Sequence, residues 1–305
     1  MSLDPSYLEY PLRRRGMDHE SYPYSSIFQR PPLRWRHGRG VGIALVISLE
    51  WFPILPADKP FRAPGHMVTP YPDYRHYTSR DYGNRVGIFR LLDAFAAVGA
   101  RASIVTNAAI VQRYPELVAE IQQAGHEIVA HSTDMNGTIA SGMEPGAERA
   151  LIEDTLRAFA TVGIHPQGWM SIARSQSFDT PALLAEHGLR YMADWVNDDL
   201  PYTFSTPSGA LVNVPVNHEL SDRQVITVQQ NSVDSYCEQL RDAYSLFAGE
   251  SAQFGGRMLP IHLTPYISGL PYRVTAIGKL LEWLAEQPQA AFATLGEIAD
   301  DFLNA

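Results

Sequence analysis

Cysteine occurs once in the 305 residues, at Cys237. An internal disulfide is therefore impossible, and a cysteine-based zinc site is excluded. No apolar run reaches the length of a membrane span. The arginines between Met1 and Arg15 are followed by no apolar stretch of the secretory kind, so a cytoplasmic protein is expected. Basic residues are in the minority: 24 Lys and Arg stand against 33 Asp and Glu, a net charge of −9. That balance disfavours nucleic acid and anionic membranes as partners, since both call for basic surface. There is no glycine-rich phosphate loop, no His-Glu-x-x-His and no paired Cys-x-x-Cys, and Asp198-Asp199 is too short for a calcium loop. Internal repeats and low-complexity segments are also missing.

What remains is an ordinary globular composition, 45% hydrophobic and 19% charged, in a chain long enough for one large α/β barrel or two small domains. Residues 1–40 are rich in Pro, Tyr and Arg without a clean period. Their aromatic content favours an arm packed on the body, or on a neighbouring subunit, over a solvated tail. Val41 to Ser48 is a near-continuous apolar run of the buried-strand type. A Pro- and Tyr-rich insertion without period follows, from Trp51 to about Arg80, and a long loop leaving a strand end usually borders a site.

An alternation then sets in. Helical spacing over Asn84–Val98, Pro115–Ala124, Ala147–Val162, Pro181–His187, Val233–Phe247 and Val274–Glu286 is interleaved with short strands. Those strands are Ser103–Thr106, Glu127–Ala130, Gly168–Ser171, Arg190–Asp194, Leu211–Val214, Met258–Leu263 and Ala291–Thr294. Seven or eight strands alternating with helices imply parallel pairing and right-handed crossovers, hence a β/α barrel over residues 41–305.

Polar residues fall at the ends of these strands: Glu50, Asn107, His131, Arg174, Asp194 and His262. In a barrel the strand C-termini share one face, and that face carries the chemistry. Glu50, between Leu49 and Trp51, suits a general acid or base if it stands in an apolar mouth; the alternative is a glutamate paired with an arginine. His131 ends Glu127-Ile-Val-Ala and can be a base, a metal ligand, an oxyanion donor or a loop anchor. His262 lies inside Leu259-Pro-Ile-His-Leu-Thr-Pro-Tyr, where Thr264 shares its face; it reads equally as a core histidine. Arg174 and Asp194 can pair with each other or hold a substrate carboxylate. The carboxylate-dense stretch Asp194 to Asp199 also serves loop capping.

These segments resemble the polysaccharide-deacetylase (NodB-homology) family, with the nearest likeness to its metal-independent allantoinases and related cyclic-amide hydrolases. The resemblance spans Arg36 to Phe302. It rests on Ser48-Leu-Glu-Trp-Phe-Pro53, Gly125-His-Glu-Ile-Val-Ala-His-Ser132, Gly168-Trp-Met-Ser-Ile-Ala-Arg174, Asp194-Trp-Val-Asn-Asp-Asp-Leu-Pro-Tyr202 and Leu259-Pro-Ile-His-Leu-Thr-Pro-Tyr266. It implies a distorted (β/α) barrel of about seven parallel strands that hydrolyses a carbon–nitrogen bond other than a peptide bond. It also implies a homo-oligomer, a tetramer among the candidate states.

The departures from the family pattern are informative. Metal-dependent members carry two adjacent aspartates after the first strand, a base and a metal ligand; here Glu50 matches the base and Trp51 replaces the ligand. They carry a second histidine four residues after the first; here Met135 follows His131. An indole and a thioether cannot stand in for the carboxylate and imidazole that a zinc-like ion takes, so no tight zinc or manganese is expected in the usual site and no cofactor is implied. The family's acid is a histidine in a Leu-His-Pro-Tyr context, where this chain has Thr264. His262, one strand period earlier and about 7 Å away, is the candidate replacement.

The expected catalytic set is therefore Glu50, His131, His262, Arg174 and Asp194. Trp51, Asn107, Trp195, Asp199, Tyr202 and Thr264 are expected to contact a small-molecule substrate, an amide or ureide. The competing readings are a metal-dependent carbohydrate N-deacetylase with altered ligands, and a catalytically silent barrel that binds a small ligand.

Overall fold

The computed structural model describes residues 19–57 and 70–305. Residues 1–18 of the expected arm and 58–69 of the expected insertion lie outside the described residues. The elements run β1 (Val41–Leu49), α1 (Tyr74–Tyr82), α2 (Ile88–Ala97), β2 (Ala102–Thr106), α3 (Ala108–Arg113), α4 (Pro115–Gln123), β3 (Glu127–Ala130), α5 (Pro145–Ala160), β4 (Gly168–Trp169) and α6 (Thr180–Glu186). They continue with β5 (Tyr191–Met192), β6 (Tyr202–Thr206), β7 (Gly209–Asn213), α7 (Val233–Phe254), β8 (Arg257–Leu263), α8 (Pro265–Ser268), α9 (Val274–Ala285), β9 (Ala290–Phe292) and α10 (Leu295–Leu303).

The strands form one curled sheet in the order β6-β7-β5-β4-β3-β2-β1-β8. All neighbours are parallel except β6 and β7. β1 pairs with β8 along one edge over Val41–Ile47. Its other edge is divided between β9 at Val41–Ile43 and β2 at Leu45–Leu49. The β6–β7 hairpin is a departure from the all-parallel expectation: Thr206 and Gly209 close a tight turn, which leaves no room for a crossover. α1, a π-helical turn at Gly83–Gly87 and α2 run on from one another, so the patternless stretch after Trp51 becomes helical from Tyr74. No helix among the described residues is long and apolar enough to cross a membrane.

Alternation along each strand divides the core. Ile43, Leu45, Ile47 and Leu49 of β1 join Leu259, Ile261 and Leu263 of β8 in the cluster that packs on the helices. Ala44 and Val46 join Val105, Val129 and Met258 in the cluster inside the curl. Continuing the inner register by steps of two leads to Ser48 and Glu50, to Asn107, to His131 and to His262. The barrel interior is thus apolar at one end and polar at the other.

The curl is open between the hairpin and β8, and the arm lies across that opening. Ser21 accepts a bond from the Ser205 amide, Arg30 pairs with Asp198 at 2.6 Å, Leu33 bridges to Gly255, and the Trp35 indole donates to the Arg257 carbonyl. Across the barrel wall, Gly87 packs directly on the turn after β8. A Cβ there would stand 2.1 Å from the Pro265 carbonyl oxygen. Because that neighbour is backbone and cannot swing aside, Gly87→Ala is expected to cost about 1–3 kcal/mol, read as a lowered denaturation midpoint. An unchanged midpoint would mean that the contact between the Gly83–Gly87 turn and α8 yields freely.

Candidate active site

The polar end of the barrel is organised around Glu50, which is 3% exposed. Its carboxylate accepts two bonds from Arg223 Nη2, at 2.8 and 3.0 Å, and one from the Tyr266 hydroxyl at 2.9 Å. Arg223 Nη2 also reaches the Tyr266 hydroxyl at 2.9 Å. The apolar seat beside Trp51 is therefore not what surrounds Glu50; an ion pair is. Two π-helical segments build this corner. Gly83–Gly87 carries Asn84, whose amide donates to the Glu50 carbonyl at 3.0 Å, and Arg223–Val228 carries Arg223 itself. An extra residue per turn bulges the helix and re-aims a side chain, a device common at functional sites.

His131 is fixed by its Nδ1, which donates to the Met170 carbonyl at 2.5 Å. Its Nε2 is thereby left with a lone pair. Burial lowers its pKa, with the Glu50 charge opposing, so it is neutral near pH 7. His262 is also neutral: burial and then the Arg174 and Arg223 charges hold its pKa well below the usual value. Arg174 Nη2 approaches His262 Nδ1 at 3.3 Å, which assigns the imidazole proton to Nε2, 2.7 Å from Ser48 Oγ. Both of its nitrogens are engaged, and it holds no spare proton.

Asp194 Oδ1 accepts from the Ser171 amide at 2.7 Å, and Oδ2 accepts from Ser171 Oγ at 2.9 Å and Gln176 Nε2 at 2.6 Å. Burial raises its pKa to about 6 against those three bonds. Of the two readings of Arg174 and Asp194, direct pairing is not formed. Arg174 Nε and Nη2 donate instead to the Val216 carbonyl at 3.0 and 2.8 Å.

A cavity of about 810 Å³ opens at this end, with Arg174, Asp194, Trp195, Arg223 and His262 in its wall together with Tyr22 of the arm. Glu50 and His131 stand behind the wall, and Arg223 connects Glu50 to the cavity. The remaining expected contacts lie elsewhere. Asn107 ties strand ends together: its Oδ1 accepts from the Trp51 amide at 2.8 Å and its Nδ2 donates to the His131 carbonyl. The Trp51 ring lies under the Arg113 guanidinium, 4.1 Å from it. Thr264 Oγ1 donates to Asp222 Oδ1 at 3.0 Å. Tyr202 donates to Asn197 Oδ1 at 2.8 Å, behind Tyr22. Asp199 feels Arg257 and Glu250, at the opposite end of β8 from the mouth. Charge pattern alone could not tell which end of the barrel it would face.

Arg223, Tyr22 and Asp222 escaped the sequence reading. Asp222 accepts from the Thr264 amide at 2.6 Å and from Ser268 Oγ at 2.7 Å, which pins the Arg223 segment to the end of β8. The only signal was the adjacent charged pair Asp222-Arg223 in a segment after Val216 with no helical or strand period.

The family's metal-ligand positions do not fit an ion. Met135 is packed with Phe52 and Ile172, and Trp51 is stacked on Arg113. Among the described residues, no group of three His, Cys, Asp or Glu side chains is gathered as a metal requires. Asp134 Oδ1 caps the amide of Asn136 at 2.8 Å.

A curled, mostly parallel α/β sheet with polar strand ends is a β/α half-barrel that carries its cavity at the polar end. Residues 73–192 match the family model described as polysaccharide deacetylase. A Schizosaccharomyces pombe protein described as a "Putative polysaccharide deacetylase" is 25% identical over 239 residues, 72% of this chain and 73% of its own. The crystal structure of PuuE allantoinase matches with a TM-score of 0.83 and 26% identity, covering 93% of this chain and 98% of that one. A "probable Polysaccharide deacetylase" from Pseudomonas aeruginosa PAO1 matches with the same TM-score and coverage at 24% identity, a likeness of fold.

Proposed function

We propose that the chain hydrolyses a carbon–nitrogen bond in a small amide or ureide, cyclic or linear, without a metal ion at the family's usual place. The observation that carries this reading is the Glu50–Arg223–Tyr266 corner behind a small-molecule cavity, in a chain whose ligand positions hold Trp51 and Met135. One water admitted from the cavity beside Glu50 gives a proton to its carboxylate as the water oxygen bonds to the carbonyl carbon. The carbonyl oxygen gains the negative charge, which Arg223 offsets. Glu50 then returns the proton to the departing nitrogen as the carbon–nitrogen bond breaks, the alternate base and acid roles of one carboxyl. Neutral His131, with its free Nε2 lone pair, holds the water's second hydrogen. Asp194 orients Ser171 and Gln176, and Gln176 in turn accepts from the Trp195 indole at 2.9 Å. The likeness to an allantoinase over nearly the whole chain supports the substrate class.

The deciding experiment is elemental analysis of the purified protein alongside turnover of allantoin, hydantoin, imides and N-acetyl sugars with and without chelator. Less than about a tenth of an equivalent of metal, with chelator-resistant cleavage of a cyclic or linear amide, is the expected result. Stoichiometric zinc or manganese would overturn the metal-free reading, and no turnover of any amide would favour a barrel that only binds. A homo-oligomer belongs to the same proposal; light scattering that gave a monomer at micromolar concentration would refute it.

The pH profile carries a further prediction. Asp194 must be ionised to accept its three bonds, so kcat/KM is expected to fall about tenfold per unit below about pH 6. Unfolding does not mimic this loss. Asp194 and Asp222 are both raised to about 6 in the fold, above the unfolded value, so they take up protons more readily folded. Their contribution to stability therefore rises as pH falls from about 6 towards 4. A flat profile down to pH 5 would remove Asp194 from the machinery.

A further inference from the structure

Two cavities meet at Arg174. The first is the mouth cavity described above. The second, of about 490 Å³, shares Arg174 and Trp195 with it and adds Ser141, Gln176, Ser177 and Thr206. Arg174 commits Nε and Nη2 to the Val216 carbonyl and Nη2 to His262, which leaves Nη1 without an acceptor among the described residues. No carboxylate of the described residues comes within ion-pair distance of it, because Asp194 turns both oxygens to Ser171 and Gln176. Burial lowers its pKa only to about 10, so the guanidinium is charged at neutral pH.

The backbone presents this charge at a cost. Ala173 and Arg174 both have left-handed φ, 53° and 54°. Left-handed non-glycine residues cost on the order of 1–3 kcal/mol each and persist where the surroundings over-determine them. Here the turn carries Arg174 from the end of β4 to the junction of the cavities. A desolvated charge with no counter-ion is unfavourable, and an anion arriving from solution relieves it.

We propose that Arg174 seats a carboxylate of the substrate, so that the molecule cleaved is a small acidic amide or ureide whose acidic arm crosses from the first cavity into the second. The inference rests on the hydrolase reading for the word substrate, but binding alone tests it. The hydroxyl and amide groups of Ser141, Gln176, Ser177 and Thr206 suit a polar, hydrated arm. A neutral arm would leave the guanidinium uncompensated, which gives discrimination by charge.

The test is calorimetric binding of hydantoin-5-acetate and of its neutral counterpart hydantoin-5-acetamide to the full chain. The acetate is expected to bind at least about tenfold more tightly, with the preference abolished in Arg174→Gln and partly recovered in Arg174→Lys. Ala182→Leu, which narrows only the second cavity, is expected to weaken the acetate about fivefold or more while unsubstituted hydantoin changes less than about twofold. The Ala182 result decides the matter if Arg174→Gln does not fold. Equal binding of the two probes, no binding of either to the folded wild type, a preference that survives Arg174→Gln, or an Ala182→Leu protein with unaltered acetate affinity would overturn the proposal. Carboxylate preference without turnover of any amide would sink the hydrolase reading and leave the seat standing. Turnover of neutral amides without that preference would do the reverse.

Discussion

Arg223→Met is expected to destabilise the fold by about 3–5 kcal/mol, because it strips the partner from a carboxylate that has almost no access to water. The Glu50 side chain is 1% exposed, and the Arg223 side chain 19%. Methionine fills much of the space but supplies neither of the two donated bonds, and Tyr266 alone cannot offset the charge of Glu50. Denaturant melts measure the loss. The double variant Glu50→Leu/Arg223→Met is expected to recover most of it, since removing both charges removes the desolvation penalty as well. A single variant within about 1 kcal/mol of wild type would show that water enters the corner and solvates Glu50, and the ion pair would then not organise the site.

Glu50→Gln is the larger effect on chemistry. The amide keeps the shape of the side chain, and its one oxygen can accept from Arg223 and Tyr266 where Oε2 does; its NH2 then stands against Arg223 Nη2, so stability falls but partly exposed Arg223 lets the fold persist. It cannot take a proton from water. Turnover is expected to fall by about 10²–10⁴ in kcat with KM little changed, the range for loss of a positioned base. A kcat within about threefold of wild type would dismiss Glu50 as the base and turn attention to Asp194. The same variant distinguishes catalysis from architecture: if the Glu50→Gln protein melts far below wild type, the carboxylate was chiefly holding Arg223.

The strand ends were legible because alternation is a strict rule. Once Val41–Leu49 is read as a strand, Ser48 and Glu50 must share a face with Val46, and the same step of two carries Val129 to His131 and Pro260 to His262. The barrel class followed from the interleaved periods. The hairpin of β6 was not legible, because Tyr202–Thr206 follows a Pro and buries only Phe204. Nor was the partner of Glu50. Arg223 lies on a π-helical segment, whose spacing matches neither 3.6 nor 2, and it meets Glu50 across 173 residues of chain. Which polar residues would face the cavity was also beyond pattern. Asn107 and Thr264 have the right register, yet their hydrogen-bonding groups are used to tie the strand ends and α8 into place.

The arm that lies across the open side of the barrel sets an order on assembly. Its residues are made before those of the barrel, yet their partners come late: Asp198, Ser205, Gly255, and Asp301, which pairs with Arg36. Tyr22 therefore has nothing to pack against until Trp195 and Tyr202 have been synthesised and the hairpin has closed. Contacts so distant in sequence slow folding, since a long loop must be closed before they are made. A nascent chain can form β1 through β4 and still have no finished mouth; the arm is made before the barrel it closes and settles after it, so the chamber is walled only once α10 has followed.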